Sequence, residues 1–462
     1  MNPKAVSEDR SVLPRGWRRR DFLKLAAAAA LWPLSRAGAA SQSASVVVIG
    51  AGMAGLAACD RLQRAGIAVT VVEARDRIGG RIWTHDGIDL GASWIHGLKG
   101  NPMTKLARAS GVEPVPFDYE NMEVRNDAGA LLTDDQDRWV DEAYRKFSRR
   151  VEKAQGDAGV KDSLGGPFDS FLASMAGEKR HLAHYGLYTN IVHEYAADPP
   201  ALSLRYFDSG EEFGGSDAML GQGYAGLLSQ LTPPQTLSLG TPVREIAWND
   251  EAVRVETDGS PIVASRALIT LPLGVLRAGH VRFSPDLPAA KASAIHRLGM
   301  GTLDKLVLVF PRVGWPKEPE MFGYVPADNL QWAEWVNMVP VNGRPILIGF
   351  NGGRVAVDVE SWSDREIVQS ALTVLRKMFG ADLPDPVSHT ITRWQADPWA
   401  LGSYSHLPPG STPDDRRVLA EPVEGRVFFA GEACSIEHAA TVHGAYLSGV
   451  KAAEEILAQT RG

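Results

Sequence analysis

A strand, a glycine turn, a helix and a second strand ending on an acid occupy residues 45–73, and this segment constrains the chain more than any other. Ser45-Val46-Val47-Val48-Ile49 is the β-branched run that a buried parallel strand requires. Gly50-Ala51-Gly52-Met53-Ala54-Gly55 follows directly. Leu56 to Ala65 then reads as a helix stopped by Gly66, and Ile67 to Val72 as a second strand with Glu73 at its end. A lone G-x-G-x-x-G is a weak signal. With strand, helix and an acid 18 positions after Gly55, it specifies a dinucleotide-binding βαβ unit. Gly50 permits the tight turn, Gly52 lets a pyrophosphate approach the backbone, and Gly55 lets helix and strand pack closely. The helix N-terminus offers free N–H groups and positive dipole character to the diphosphate, while Glu73 accepts from the adenosine ribose hydroxyls.

The first 40 residues are read apart from the fold. Arg18-Arg19-Arg20-Asp21-Phe22-Leu23-Lys24 is a charged start, Leu25 to Leu34 a short apolar stretch, and Ala37-Gly38-Ala39-Ala40 a small-residue cleavage signal. The uncharged run Leu25 to Ser35 covers only about 16 Å as a helix, roughly half a bilayer core. A stable membrane span is therefore not expected. The segment resembles a twin-arginine export signal with Arg19 and Arg20 as the pair, which predicts passage through the twin-arginine translocase to the periplasm or outside. That route carries folded proteins with their cofactors bound. Cleavage would remove 8 basic and 3 acidic residues and move the net charge from −7 to −12. An acidic surface argues against nucleic acid and is compatible with a cationic substrate.

With 462 residues, the chain exceeds what one hydrophobic core serves, and two domains are expected. Cys59 and Cys434 are its only cysteines, which excludes a disulfide scaffold and a cysteine-based metal site. His181 and His184 share a helix face, but no third ligand stands at metal spacing, and no G-x-S-x-G elbow suggests a serine hydrolase.

Beyond Glu73 come Gly79-Gly80-Arg81 and then Asp89-Leu90-Gly91-Ala92-Ser93-Trp94-Ile95-His96-Gly97. Two glycines and an arginine after the ribose acid form the pattern of flavoproteins of the glutathione reductase type, with Arg81 offering a fork to the pyrophosphate. No pool of free nicotinamide cofactor exists outside the cytoplasm, whereas a tightly bound flavin travels with its protein. FAD is the expected cofactor.

These segments resemble the flavin-dependent amine oxidases, the family of monoamine oxidases, polyamine oxidases and lysine-specific histone demethylases. The polyamine oxidase branch, in which Gly91 to Gly97 is a familiar string, is the most similar. Thr241-Pro242-Val243, Gly301-Thr302-Leu303-Asp304-Lys305, Trp394 through Tyr404, Phe428-Phe429-Ala430-Gly431-Glu432 and Ala440-Thr441-Val442-His443-Gly444 match in order, so the resemblance spans nearly all of residues 45–460 and is least distinctive over 111–224. It implies an α/β architecture: a Rossmann-like FAD-binding domain from 45–110, 225–290 and 395–460, interleaved with an α+β substrate domain from 111–224 and 291–394. The chain's own patterning predicts buried strands at Ala267 to Pro272 and Arg426 to Ala430, and helices over 134–153 and 363–379.

The resemblance also implies residue roles. Val243 would hold the adenine through its backbone and Glu432 would contact the diphosphate–ribityl region. Gly91, Ala92, Ser93 and Trp94 would lie along the cofactor. Thr441 and Val442 open the last helix, whose N-terminus would face the flavin O2/N1 edge; a plain packing helix would use the same small residues. The lysine matching Lys305 holds a water at flavin N5 and assists reoxidation, although an edge-strand lysine snorkelling to solvent fits the composition equally. Trp394 and Tyr404 match positions at the flavin, and Tyr404 corresponds to one wall of the monoamine oxidase aromatic cage. Thr441 stands at the other wall, so the two-ring sandwich is absent, which favours the polyamine oxidase or demethylase branch. Ser403 replaces the flavin-linking cysteine of monoamine oxidases, so FAD would be non-covalent. His96 matches a substrate-facing histidine, although a lone histidine is more often an ordinary polar residue. Glu120, Glu194, Glu211 and Glu212 are unranked candidates for gripping a distal ammonium.

The expected activity is oxidation of an amine, foremost a polyamine. Hydride passes from the carbon beside a neutral amine nitrogen to flavin N5, the imine is hydrolysed to aldehyde and amine, and O2 is reduced to H2O2. An L-amino acid oxidase, an exported amine dehydrogenase and a flavin-binding protein without turnover are the alternatives.

Overall fold

The computed structural model describes residues 44–327 and 329–461, so the export segment with Arg19 and Arg20 lies outside the described residues. No described helix is long and apolar enough to cross a membrane.

β1 (Ser45–Ile49), α1 (Met53–Arg64) and β2 (Ala68–Val72) form the expected parallel unit, with Val47 opposite Thr70. The helix starts at Met53 rather than Leu56, because Met53, Ala54 and Gly55 are all buried and apolar periodicity cannot register a turn without a polar face. Gly50 turns at φ +105°, and a Cβ there would meet Thr270 Oγ1 at 2.6 Å. β1 and β2 lie at the centre of a five-stranded parallel sheet ordered Val427–Phe429, Arg266–Ile269, β1, β2, Thr236–Ser238. The strand expected over Ala267 to Pro272 ends at Ile269. Thr270 turns its hydroxyl onto the Ile49 carbonyl, and Pro272 caps the helix Leu273–Ala278.

On one face of this sheet, α1 crosses the C-terminal helix Val442–Arg461 so closely that a Cβ on Gly449 would lie 2.1 Å from the Ala54 carbonyl oxygen. Cys59, Leu62, Ala453 and Ile456 fill the space around the crossing. The other face is covered by the antiparallel strands Val243–Trp248, Val253–Thr257 and Ile262–Ala264, which bury Ile246, Val253 and Val255 against Val47, Ile49 and Val72. Each such side chain contributes about 1.5–3 kcal/mol by leaving water.

A second sheet has six strands ordered Ser388–Ile391, Leu303–Val309, Ile346–Gly352, Glu334–Asn337, Met321–Val325, Met122–Asn126. Leu303–Val309 pairs on both sides, with Lys305 opposite Phe350. Lys305 is therefore in the sheet interior and 6% exposed, which removes the edge-strand snorkelling alternative. Helices Gly353–Glu360 and Asp364–Phe379 cover the back of this sheet. The latter begins one residue after the expected start because Ser363 is its cap, in a box with Glu366. Helix Asp134–Gln155 is likewise boxed by Thr133 and Gln136, and packs with Gly165–Ala173 and Gly177–Leu187 around Phe147, Phe168 and Phe171. On that last helix, His184 meets the Phe168 ring edge-on and His181 reaches the Pro326 carbonyl.

Gly449→Ala is expected to cost about 1–3 kcal/mol, because the methyl group forces two helix backbones apart. Urea unfolding of the purified protein measures this, and an unchanged midpoint would show that the helices separate freely.

Candidate active site

The site begins where β1 hands over to α1. Gly52 caps this helix without a side-chain partner, and a Cβ on Gly52 would meet only Gly79 O, at 3.9 Å. The open approach and the free N–H groups of the first turn fit a diphosphate. At Gly55, by contrast, a Cβ would lie 2.1 Å from Gly50 O, so this glycine serves packing. Glu73, buried at the end of β2, accepts from Ala51 N at 2.7 Å through Oε2 and from Arg75 N at 2.8 Å through Oε1. Each oxygen keeps a second lone pair for a ribose hydroxyl. Thr241 N donates to Glu73 O at 2.8 Å, which brings Val243 to the same end.

Arg81 marks the other end. Its Nη1 donates to Ser403 O at 2.8 Å and to Glu432 Oε1 at 2.9 Å. Glu432 Oε2 takes the Ser405 hydroxyl at 2.6 Å and Ala440 N at 3.0 Å. Burial works to raise the Glu432 pKa, but Arg81, Arg416 and the Ser405 hydrogen bond outweigh it and hold the carboxyl below its ordinary value. Thr441 Oγ1 donates to His438 O and accepts Gly444 N, both at 2.9 Å, so it caps the C-terminal helix while Val442 packs into the core beneath. The Thr441 hydroxyl is thereby occupied in the cap.

Lys305 points into the gap between the sheets. Its Nζ donates to Asp89 O at 3.1 Å, Gly91 O at 2.6 Å and Ser93 Oγ at 2.5 Å, and lies 5.6 Å from the Trp94 ring centre. Burial lowers its pKa to about 8, with Asp89 partly opposing. Burial conversely raises Asp89 to about 6, against hydrogen bonds from Thr84 and Tyr224 and the charge of Lys305. Gly91 has no room for a side chain: a Cβ would lie 1.8 Å from Arg81 O and 3.4 Å from Trp394 Cζ2. Ala92 N donates to Arg81 O at 3.2 Å, so Gly91, Ala92, Ser93, Trp94, Lys305, Trp394 and Arg81 form one contiguous group.

A second group lies around His96. Its Nδ1 is 2.8 Å from Asp217 Oδ2, Gly97 N donates to Asp217 Oδ1 at 2.8 Å, and Tyr119 Oη donates to Asp217 Oδ2 at 3.1 Å. Burial opposes protonation of His96, but Asp217, Glu194 and Glu212 prevail and raise its pKa. Glu194 is raised by burial and by Glu212, Asp217 and Glu334, with His96 pulling the other way. Half of the His96 side chain (49%) stays accessible, and Glu194 is exposed too. Both groups are thus reachable from solvent while lying among other carboxylates. Tyr404 connects the two groups: it feels Glu194, and its Oη donates at 2.9 Å to the carbonyl of His193, whose Nδ1 is 2.5 Å from Glu334 Oε2. Trp94 extends the aromatic wall to Phe117, Tyr119 and Phe350.

Of the four candidate carboxylates, Glu194 and Glu212 therefore join the cluster. Glu120 sits on an exposed turn with its N–H on Asp118, and Glu211 meets His438 through its carbonyl. Sequence reasoning missed Asp217, Glu334 and Tyr119. Asp217 belongs here because its strand, Asp217–Met219, pairs with Trp94–Ile95 across more than a hundred residues, which spacing does not signal. Asp89 did carry a signal, as a carboxylate between the apolar Ile88 and Leu90.

The profile of the family described as flavin containing amine oxidoreductase matches residues 53–457. Lysine-specific histone demethylase 1 homolog 1 of Oryza sativa subsp. japonica is 35% identical over 448 residues, which is 90% of this chain and 52% of that protein. Polyamine oxidase 4 of the same plant is 34% identical over 435 residues, covering 89% of this chain and 88% of its own. The chain thus spans about half the length of the demethylase relative. Among solved structures, cyclohexylamine oxidase from Brevibacterium oxydans IH-35A shares the fold with a TM-score of 0.73 and 24% identity, over 91% of this chain and 100% of that one.

Because the Lys305 pKa falls from 10.5 to about 8 on folding, the unfolded chain binds more protons between those values. Stability contributed by this group should therefore rise with pH across that window. The stability of the protein relative to Lys305→Met is expected to grow from pH 8 to pH 10 in urea titrations; a constant difference would show that Lys305 titrates normally.

Proposed function

The chain belongs to the flavin containing amine oxidoreductases, and on that premise we propose that it oxidises polyamines, with the carboxylate-lined cavity taking the substrate's ammonium groups. FAD is the cofactor, and the chemistry it supplies when bound is two-electron oxidation of a C–N bond with return of the electrons to oxygen as peroxide. The observation that carries the substrate assignment is the gathering of Glu194, Glu212, Asp217 and Glu334 around His96 and Tyr404. Carboxylates held close together repel, which adds to burial in raising the Glu194 pKa, and a cation with two or more ammonium groups relieves that repulsion. An amino-acid substrate would add its own carboxylate to the cluster, so the L-amino acid oxidase reading gains nothing from this cavity.

In this proposal Glu194 holds a distal ammonium, and His96, oriented by Asp217, hydrogen-bonds the amine nitrogen that reacts. Trp94, Phe350 and Tyr404 confine the carbon chain and exclude water. Lys305, beside Gly91 and Ser93, would hold a water at the flavin and assist the oxygen step. Glu73 and Val243 would hold the adenosine end, with Arg81 at the diphosphate, Glu432 at its ribityl side and Thr441 and Val442 opening the helix toward the flavin. Non-covalent attachment agrees with Ser403, whose hydroxyl accepts Leu303 N at 2.8 Å and donates to Leu303 O at 2.9 Å. The proposal extends to an FAD domain drawn from 45–110, 225–290 and 395–460, a substrate domain from 111–224 and 291–394, and twin-arginine export on the strength of Arg19-Arg20 and the residues after them.

Anaerobic addition of spermidine or spermine is expected to bleach the flavin absorbance, with peroxide formed on admitting air. Bleaching without peroxide would indicate a dehydrogenase, and bleaching only by a methyl-lysine peptide or by leucine would overturn the polyamine assignment. The limiting rate and kcat/KM should rise with pH on the acid side. The reacting amine must lose its proton, His96 must lose a charge that repels it, and Glu194 must gain the charge that attracts the distal end. Glu194→Gln should lower kcat/KM for spermidine about tenfold or more, through the loss of a charged hydrogen bond, while sparing a primary monoamine.

A further inference from the structure

On the face of the six-stranded sheet opposite Lys305, two carboxyl groups meet. Asp304 and Lys305 are consecutive in one strand and so point to opposite sides. Asp304 is buried, and its Oδ1 accepts Thr392 Oγ1 at 2.8 Å and Trp394 N at 2.9 Å. Its Oδ2 is buried without any protein N–H or hydroxyl donor, and the carboxyl-bearing Glu360, at the end of the helix Gly353–Glu360, lines the same small cavity as Asp304. Two carboxylates offer only acceptors to each other, so a hydrogen bond between them requires a proton. Glu360 takes Gln395 N at 2.7 Å through Oε1 and Ala396 N at 2.9 Å through Oε2. Burial and the neighbouring Glu360 raise the Asp304 pKa well above the ordinary value, so the proton is assigned to Asp304.

The nearby charges are committed elsewhere. Lys305 is bonded on the opposite face, and Arg393 donates to Glu360 O, Trp362 O and Asp364 Oδ1. Asp397 is paired with Arg75, and Asp358 is exposed.

The consequence reaches the site. Three consecutive backbone N–H groups, those of Trp394, Gln395 and Ala396, end on this carboxyl pair, and Trp394 lies against Gly91, whose carbonyl receives Lys305. We propose that Asp304 and Glu360 share one proton and act as a positioning pair, clamping the 394–396 backbone so that Trp394 is held against Gly91 at the flavin. The placement of the flavin rests on the function proposed above.

Asp304→Asn separates this role from a simple need for charge. The amide oxygen still accepts from Trp394 and Thr392 and the amide nitrogen donates to Glu360, but nothing titrates. Infrared spectra of the FAD-loaded protein without substrate, at pH 8 and thus above Asp89 at about 6, should contain a protonated-carboxyl C=O band that Asp304→Asn lacks. In stopped-flow reduction by spermidine, Asp304→Asn should stay within about twofold of the natural protein, whereas Asp304→Leu should slow reduction about tenfold with the apparent substrate affinity little changed. Asp304→Leu should also shift the visible spectrum of the bound flavin, and if it does not fold, Asp304→Asn decides alone. The proposal is overturned if the band survives in Asp304→Asn, or if Asp304→Asn is as slow as Asp304→Leu. Should no polyamine reduce the natural protein, the substrate assignment fails, and the infrared band and flavin spectrum still decide for or against the pair.

Discussion

Arg81 and Glu432 stand 351 positions apart and meet in a largely buried ion pair that ties together distant parts of the chain. Arg81 follows the glycine pair after the ribose acid, and Glu432 follows the strand Val427–Phe429 at the sheet edge. The same arginine nitrogen holds Ser403 O, and the same carboxylate holds Ser405 and the turn that starts the C-terminal helix. Net stability is not the main product of such a pair, because desolvation offsets much of the attraction. Its geometry matters more: each partner also holds backbone or hydroxyl groups from other segments, so the pair fixes their spacing. Three distant segments are thereby held in one register.

The electrostatics divide into two regions with different tasks. Around the glycine turn and the uncapped start of α1, backbone N–H groups favour an anion, which suits the diphosphate of FAD. Around His96, carboxylates favour cations. Lys305 lies between the regions, with its charge satisfied by two carbonyls and a hydroxyl and weakened by burial. The strand bearing it carries Asp304 on its other face, where Asp304 and Glu360 receive the backbone N–H groups of residues 394–396.

Much of this was legible before any coordinates. The βαβ unit, the separate purposes of Gly50, Gly52 and Gly55, and the position of Glu73 all follow from local stereochemistry, which a single sequence contains. Helix limits moved by a residue or a few where caps or buried first turns, rather than apolar spacing, set the boundary, as at Ser363 and Met53. Lys305 was ambiguous because strand composition does not say how many neighbours a strand has; pairing on both sides resolved it. The carboxylates around His96 were illegible for a related reason. Asp217 and Glu334 arrive on strands from different parts of the chain, and no spacing rule connects them to residue 96.

The dinucleotide-binding unit, the flavin-oxidase kinship and the acidic character of the chain can be read from the order of residues alone, because turns, helix starts and motif strings depend on residues close together along the backbone. Which carboxylates surround His96, the interior place of Lys305 and the proximity of Asp304 to Glu360 emerge on folding. Those facts depend on sheet order and strand register, and these are settled by burial of apolar surface between segments hundreds of residues apart.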